Sequence, residues 1–200
     1  MTTSITTATI LGPDTFHAMP WRNGLGTTIE LLKQDLADGD GFAWRLSMAD
    51  VTTDGEFSNF SGYDRTLLLL DGKGLTLDCA GVLKRLDKPL QAARFRGKDP
   101  TYATLLDGPV KDFNIMTQRE HCVARVASAL HPAASKIDVD ADILLVYAVD
   151  GELNLNGAEL DNLNLPTEHL YVTHKPTAGP LHCHGASHIL VQITHHRSPA

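Results

Sequence analysis

The sequence predicts an all-β fold made of two similar halves. Three observations carry that prediction. Helical periodicity is scarce, since few windows hold apolar residues at i, i+3, i+4 and i+7 for more than two turns. The apolar runs are short, rich in Leu, Val and Ile, and broken by Gly, Asp or Asn every ~8–12 residues, the rhythm of a sandwich or barrel. One pattern also occurs twice. Residues 64–81 carry an apolar strand (Arg65 to Leu70), an Asp71-Gly72 turn, an alternating Leu75-Thr76-Leu77 strand and a closing Gly81. Residues 141–157 repeat it with Ile143 to Val149, Asp150-Gly151, Leu153-Asn154-Leu155 and Gly157.

Asp-Gly between apolar runs is a strong hairpin signal, because Gly accepts positive φ at little cost. Each half is therefore expected to contain a hairpin. A comparable stretch follows each: Pro89-Leu90-Gln91 leading to Phe95-Arg96-Gly97, and Leu165-Pro166-Thr167 leading to Tyr171-Val172-Thr173. This hairpin-and-glycine texture resembles the cupin superfamily, and two copies make a bicupin of tandem jelly-roll barrels. The expected division is an N-terminal barrel over 1–118 with the ligand pocket and a C-terminal barrel over 119–200. His131-Pro132-Ala133-Ala134-Ser135 is the most linker-like stretch near that boundary. Small barrels offer a mouth for a ligand.

The composition fits a globular chain. With 42% hydrophobic and 20% charged residues over 200 positions, the chain can bury a core and is not disordered as a whole. A formal charge of −7 opposes general attraction to nucleic acid or anionic membrane. No recognisable helix-turn-helix or basic reading helix is visible, so direct DNA binding is not expected. The N-terminus lacks the basic and apolar regions of a secretory signal, and Leu67 to Leu70 is far too short to cross a bilayer. Three cysteines, Cys79, Cys122 and Cys183, give no disulfide framework, which points to a reducing, cytoplasmic setting.

Catalytic motifs are thin. There is no nucleophile elbow and no Walker A loop. His182-Cys183-His184 with His188 has the spacing His-x-His-x-x-x-His. On a strand His182 and His184 share one face, and neutral imidazoles there can bind a first-row metal. Metal-dependent cupins usually add a carboxylate soon afterwards, yet Gly185, Ala186 and Ser187 supply none. No metal or cofactor is expected, with these three histidines kept as the alternative: a metal-dependent isomerase or dioxygenase.

The polar residues of the first half say more. In Trp44-Arg45-Leu46-Ser47-Met48, Arg45 and Ser47 fall on one face of a strand. Asn114 and Met116 do the same in Asp112-Phe113-Asn114-Ile115-Met116. Gly55-Glu56-Phe57-Ser58 precedes Arg65, which opens the most apolar strand. A guanidinium offers a rigid fork for a carboxylate. An inward Arg65 near Ser58 and Asn114 suits a carboxylated ligand, whereas an outward one would pair with Asp64, Asp112 or a surface acid.

These blocks resemble the HutD/Ves family. Trp21-Arg22-Asn23-Gly24-Leu25-Gly26-Thr27-Thr28-Ile29-Glu30 is similar to its Trp-Arg-Asn-Gly-Gly-Gly-x-Thr-Arg-Glu signature. Trp44-Arg45-Leu46-Ser47, the Gly55 to Arg65 element, and Gly108 with Asp112 to Thr117 follow in order. The likeness covers about residues 17–118 well. It implies a non-catalytic or poorly defined role, tied in some members to bacterial histidine utilisation, where they bind a small acidic metabolite such as formylglutamate or urocanate and restrain the pathway. The pocket residues it implies are Asn23, Ser47, Phe57, Ser58, Arg65, Asn114 and Met116, with Arg22, Glu30 and Arg45 behind them. A homodimer fits a bicupin, which buries extra surface by pairing. Two positions depart from the signature: Leu25 replaces Gly, and Ile29 replaces Arg, which removes one expected cation.

Overall fold

The computed structural model describes residues 8–21, 26–37 and 39–196. The chain runs through β1 (Ala8–Leu11), a short 3-10 turn (Pro13–Thr15), β2 (His17–Pro20), β3 (Gly26–Asp35), β4 (Phe42–Val51), β5 (Gly55–Glu56), β6 (Tyr63–Asp71), β7 (Leu75–Cys79) and β8 (Val82–Leu86). It continues with β9 (Ala92–Arg96), β10 (Thr101–Leu105), β11 (Val110–Gln118), β12 (Cys122–Ala129), β13 (Ala133–Val139), β14 (Ile143–Gly157), β15 (Leu160–Leu165), β16 (Leu170–His174) and β17 (Gly179–His195). The fold is all-β. No helix among the described residues is long and apolar enough to cross a membrane.

Two compact units divide the chain: residues 16–122, and residues 1–15 with 123–200. The first strand thus joins the later unit, pairing antiparallel with β16 (Ala8 opposite Thr173 to Leu11 opposite Leu170).

The 16–122 unit is a sandwich of two antiparallel sheets. One has six strands in the order β2-β3-β4-β11-β6-β9, the other four in the order β5-β10-β7-β8. Leu67, Leu69, Ala93, Phe95, Val51 and Val110 come from the larger sheet and meet Leu75, Leu77, Cys79, Leu86 and Ala103 from the smaller. Burying each large apolar side chain stabilises the fold by roughly 1.5–3 kcal/mol. The opposite face of the larger sheet, with Trp44, Leu46, Leu68, Phe113 and Ile115, is buried too. That explains the unbroken Leu67–Leu70 run, since a strand covered on both faces loses its alternation.

The other unit is one seven-stranded sheet, ordered β1-β16-β14-β17-β12, with β13 on β17 and β15 on β14. Its long strands β14 and β17 pair through two register shifts, between Ala148 and Asp150 and between Asp150 and Leu153. Leu144, Val146, Leu153, Leu155, Leu181, Cys183 and Leu190 form its core.

Both expected Asp-Gly hairpins are corrected. Strands β6 and β7, on either side of Asp71-Gly72-Lys73-Gly74, lie in different sheets. The turn is a corner between layers, which lets Leu67 and Leu69 face Leu75 and Leu77 across one core. Asp150-Gly151 is likewise no hairpin, because β14 runs straight through it. There the Asp150 carboxylate accepts hydrogen bonds from the Ser187 N–H (2.7 Å) and the Ser187 hydroxyl (3.0 Å) and bends the strand. The pairs that do form hairpins are β7–β8 and β14–β15. The closed barrels are also corrected: among the described residues the sheets form open layers and none closes on itself.

The corner depends on Gly74, which has φ +108 and stands against the Leu86 carbonyl, where a Cβ would collide. Gly74→Ala is therefore expected to lower stability by about 1–3 kcal/mol. Urea denaturation would read it as a lower midpoint at constant slope, and an unchanged midpoint would contradict this account of the corner.

Candidate functional site

The inner face of the larger sheet carries a row of polar groups amid the apolar core. Strand pleating selects them, because side chains two residues apart share a face. Along β11 these are Asp112, Asn114, Met116 and Gln118. Across the ladders, Asn114 stands opposite Ser47 and Leu67, and Met116 opposite Arg45 and Arg65. Glu30 stands opposite Ser47, and Arg65 opposite Phe95. The register thus brings Ser47, Arg65, Asn114, Met116, Glu30 and Arg45 onto one face.

Arg65 is the centre of this row. Its side chain is buried, with 7% of the residue exposed. The guanidinium carbon lies 5.1 Å from the Phe57 ring centre, 5.7 Å from Phe60 and 5.0 Å from Phe95. Each ring face attracts the cation by about 0.5–2 kcal/mol. Nη1 donates a long bond, 3.4 Å, to the carbonyl of Ser58. Ser58 itself is exposed, and what it offers Arg65 is this backbone carbonyl. Asp64 is not the partner of Arg65, since it pairs with Arg119. Desolvation lowers the Arg65 pKa to about 10, and the field of Asp112 opposes the fall. The group remains a cation at neutral pH.

The loop that brings Phe57 and Phe60 onto the guanidinium is pinned by backbone bonds. Phe57 N–H donates to Thr101 (2.8 Å) and Phe60 N–H to Gly97 (2.8 Å). Gly97 permits this approach, because a Cβ there would run into the Phe60 carbonyl.

Neighbouring charges are already matched. Arg45 Nε sits 2.8 Å from Glu30 Oε2, an ion pair by distance. Asp112 is 3% exposed, and burial raises its pKa to about 7 despite the nearby Arg65 cation. Arg45 Nε, Arg65 Nε, Asp112 Oδ1, Asn114 Oδ1 and Gln118 Oε1 are buried without hydrogen-bond partners among the described residues, Arg45 Nε meeting Glu30 as an ion pair by distance alone. Buried polar atoms are normally satisfied, so five on one face are unusual. The face can take an anion at Arg65 and a donor group at Asn114 or Gln118.

The substitution at Ile29 takes no cation from this face. Ile29 stands opposite Met48, on the opposite side of the sheet from Arg65. Asn23, Arg22 and Leu25 lie outside the described residues. Sequence reasoning missed Phe95 and Gln118 as neighbours and Asp112 as more than a partner for Arg65. Phe95 lies 30 positions after Arg65 and reaches it only through the β6–β9 register, which no local motif encodes. Alternation along β11 was the available signal for Gln118.

The three histidines separate. His182 and His184 are on one face of β17, with stacked rings 6.4 Å apart. Gly185, at φ +108, then reverses the alternation, so Ala186 and Leu190 join Leu181 and Cys183 in the core. His188 follows that inward side. It is buried, with Nε2 3.0 Å from Ser135 Oγ and Nδ1 3.0 Å from the Ala186 carbonyl. Burial lowers its pKa. The three rings do not converge, and no cluster of metal-binding side chains occurs among the described residues.

Comparison with known proteins adds the following. The HutD family model matches residues 13–191. An uncharacterised 21.2 kDa protein of the hutC 3' region in Pseudomonas putida is 33% identical over 158 residues, 78% of this chain and 82% of that protein. Protein Ves of Escherichia fergusonii is 39% identical over 110 residues, 54% of this chain and 57% of Ves. The solved structure of HutD from Pseudomonas fluorescens SBW25 superposes with a TM-score of 0.84 at 27% identity, covering 96% of this chain and all of that one. A more distant solved structure, protein Ylba from E. coli, superposes with a TM-score of 0.63 at 12% identity, covering 96% of this chain and 93% of that one, and shares the fold alone.

The buried carboxyl sets a pH dependence. The native state holds the Asp112 proton up to about pH 7, whereas the unfolded chain releases it near the ordinary carboxylate value. The native state thus binds more protons across that interval, and stability falls as pH rises from about 4 to 7. Asp112→Asn is expected to remove that fall, gaining up to roughly 4 kcal/mol at pH 8. Urea melts at pH 5 and pH 8 would check it, and equal pH slopes for both proteins would contradict it.

Proposed function

This chain belongs to the HutD family, and from that premise we propose that it binds a small carboxylated metabolite on the inner face of its 16–122 unit and serves regulation rather than catalysis. One observation supports the reading above the others: a buried guanidinium at Arg65 with an unpartnered Nε and no ion pair among the described residues. An isolated buried charge is costly unless something pairs with it. A carboxylate guest supplies that pairing through charge-assisted hydrogen bonds, worth about 1.5–3 kcal/mol each.

The rest of the face sets the guest's second feature. Asn114 Oδ1 and Gln118 Oε1 are unpartnered acceptors and call for a donor. Formylglutamate carries carboxylates beside an amide N–H, and urocanate carries a carboxylate beside an imidazole N–H. Either fits the inventory. Phe57 and Met116 give the apolar flank, Ser47 a buried hydroxyl. Arg45 and Glu30 neutralise each other and leave Arg65 as the uncompensated cation. Asn23 and Arg22 belong to the reading through the family signature.

In this reading the two units are tandem cupin-like jelly rolls, a bicupin, and the protein acts in the cytoplasm in histidine utilisation. It restrains the pathway by holding an intermediate or by touching another protein, with no direct contact to nucleic acid or membrane. Pairing into a homodimer is compatible with it. No cofactor enters the binding step.

Arg65→Ala is expected to weaken formylglutamate or urocanate at least tenfold, read as lost thermal stabilisation across a ligand titration. Binding unchanged in that variant would remove Arg65 from the site. Thermal stabilisation by divalent metal alone, lost in His184→Ala, would favour the metal-enzyme alternative instead.

A further inference from the structure

His182 and His184 have no task in the carboxylate site, yet the β14–β17 ladder gives them polar company. Asn156 stands directly opposite His182, and Asn154 directly opposite His184. Cross-strand partners of this kind carry their Cβ atoms about 4.5–5.5 Å apart. The strand neighbours Leu153, Leu155, Leu181 and Cys183 lie in the core, so the pleat puts the four polar side chains together on the outer face of the sheet. We propose that the two imidazoles and the two carboxamide oxygens form a binding site for a late first-row divalent metal ion, with copper(II) and nickel(II) the best matched.

The carboxamides are already turned the right way. Asp161 Oδ1 accepts a hydrogen bond from Asn162 Nδ2 at 3.2 Å. Asn162 therefore presents its oxygen to Asn156, whose Nδ2 donates to it at 2.8 Å. Asn154 repeats the arrangement, with Nδ2 donating to Asn164 Oδ1 at 2.8 Å. A carboxamide carries its nitrogen and oxygen on opposite sides of one carbon. Both nitrogens reach toward β15, so both oxygens are left on the β17 side, where the imidazoles stand. The Asp161–Asn162–Asn156 series also polarises the last oxygen, since hydrogen bonds in a chain strengthen one another and outer partners orient metal ligands.

The rings need little adjustment. They are parallel to within 3°, with centres 6.4 Å apart. Two imidazoles sharing one ion at about 2 Å per bond have centres roughly 5–6 Å apart. His184 is exposed and His182 half-buried, so a modest turn of each side chain closes that gap. Imidazole suits copper, nickel and zinc, and two donor pairs on one sheet make a four-cornered set that favours the square arrangement of copper(II) and nickel(II). Calcium and magnesium, which take oxygen ligands, are excluded by the two nitrogens. No third histidine, cysteine or carboxylate joins the set among the described residues, which leaves the outer positions of the ion to water. On the far side of β17, His184 faces Ala134 and His182 faces Lys136. Lys136 is exposed, so its long stem lets the ammonium stay in water, away from a second cation.

The test is titration calorimetry of the full chain with nickel chloride, joined by electron paramagnetic resonance with one equivalent of copper chloride. One tight nickel ion per chain is expected, a copper signal split by two imidazole nitrogens, and no binding of magnesium or calcium. His184→Ala is expected to weaken nickel at least tenfold, and the pair Asn154→Leu with Asn156→Leu severalfold. Asn154→Asp puts an anionic oxygen in the place of a neutral one and is expected to strengthen binding at least tenfold, a gain that misfolding cannot imitate. The three-histidine enzyme gives Asn154 no part, so the response to the asparagine variants separates that alternative from this site. Absence of nickel binding, nickel held equally well by His184→Ala, or affinity unmoved by the asparagine variants each overturns the inference.

Discussion

The molecule's defining constraint is a cation held where cations are expensive. Arg65 is the third residue of β6, and the next four, Thr66, Leu67, Leu68 and Leu69, are all buried. A guanidinium there gives up its water. In return it receives three aromatic faces and one long bond to a carbonyl. That is partial compensation, because Nε still lacks a partner. Much of the local structure serves this arrangement. Gly97 lets the Phe57–Phe60 loop close over the charge, β9 brings Phe95, and the Glu30–Arg45 pair keeps a second cation from competing. A hydrophobic residue at position 65 would pack against the same rings at lower cost, so the choice of arginine trades stability for an unmet valence.

Part of this was legible in the sequence. Alternation placed Arg45 with Ser47 and Asn114 with Met116, and the ladders put them where the pleat required. The family blocks gathered residues that the strands bring to one face. Two things escaped. The Asp-Gly turns promised hairpins, yet turn chemistry specifies only a local reversal. Whether the two flanking strands pair with each other or with distant ones depends on long-range packing. At Gly72 and Gly74 the chain crosses between sheets, and Leu67 and Leu69 from one layer pack with Leu75 and Leu77 from the other in a single core. The signature's missing arginine at position 29 also looked like a loss, until the register put Ile29 on the opposite face from Arg65.

The later unit illustrates the same limit. A His-x-His-x-x-x-His spacing reads as a metal site only while the strand alternates regularly. One glycine at φ +108 breaks the alternation at Gly185 and sends His188 inward to Ser135 while His182 and His184 stay on the other side. A bulge carries no strong sequence signal beyond the glycine itself. The Asp150–Ser187 bonds fix the bend in the paired strand, so the two irregularities support each other across the β14–β17 ladder.

The most direct measurement is a crystal structure of the protein soaked with N-formyl-L-glutamate at pH 6. The account predicts a carboxylate of the guest on the Arg65 guanidinium, within hydrogen-bond reach of Nε, with its amide N–H toward Asn114 or Gln118. A guest bound elsewhere, with Arg65 still held only by its three rings and the Ser58 carbonyl, would contradict it.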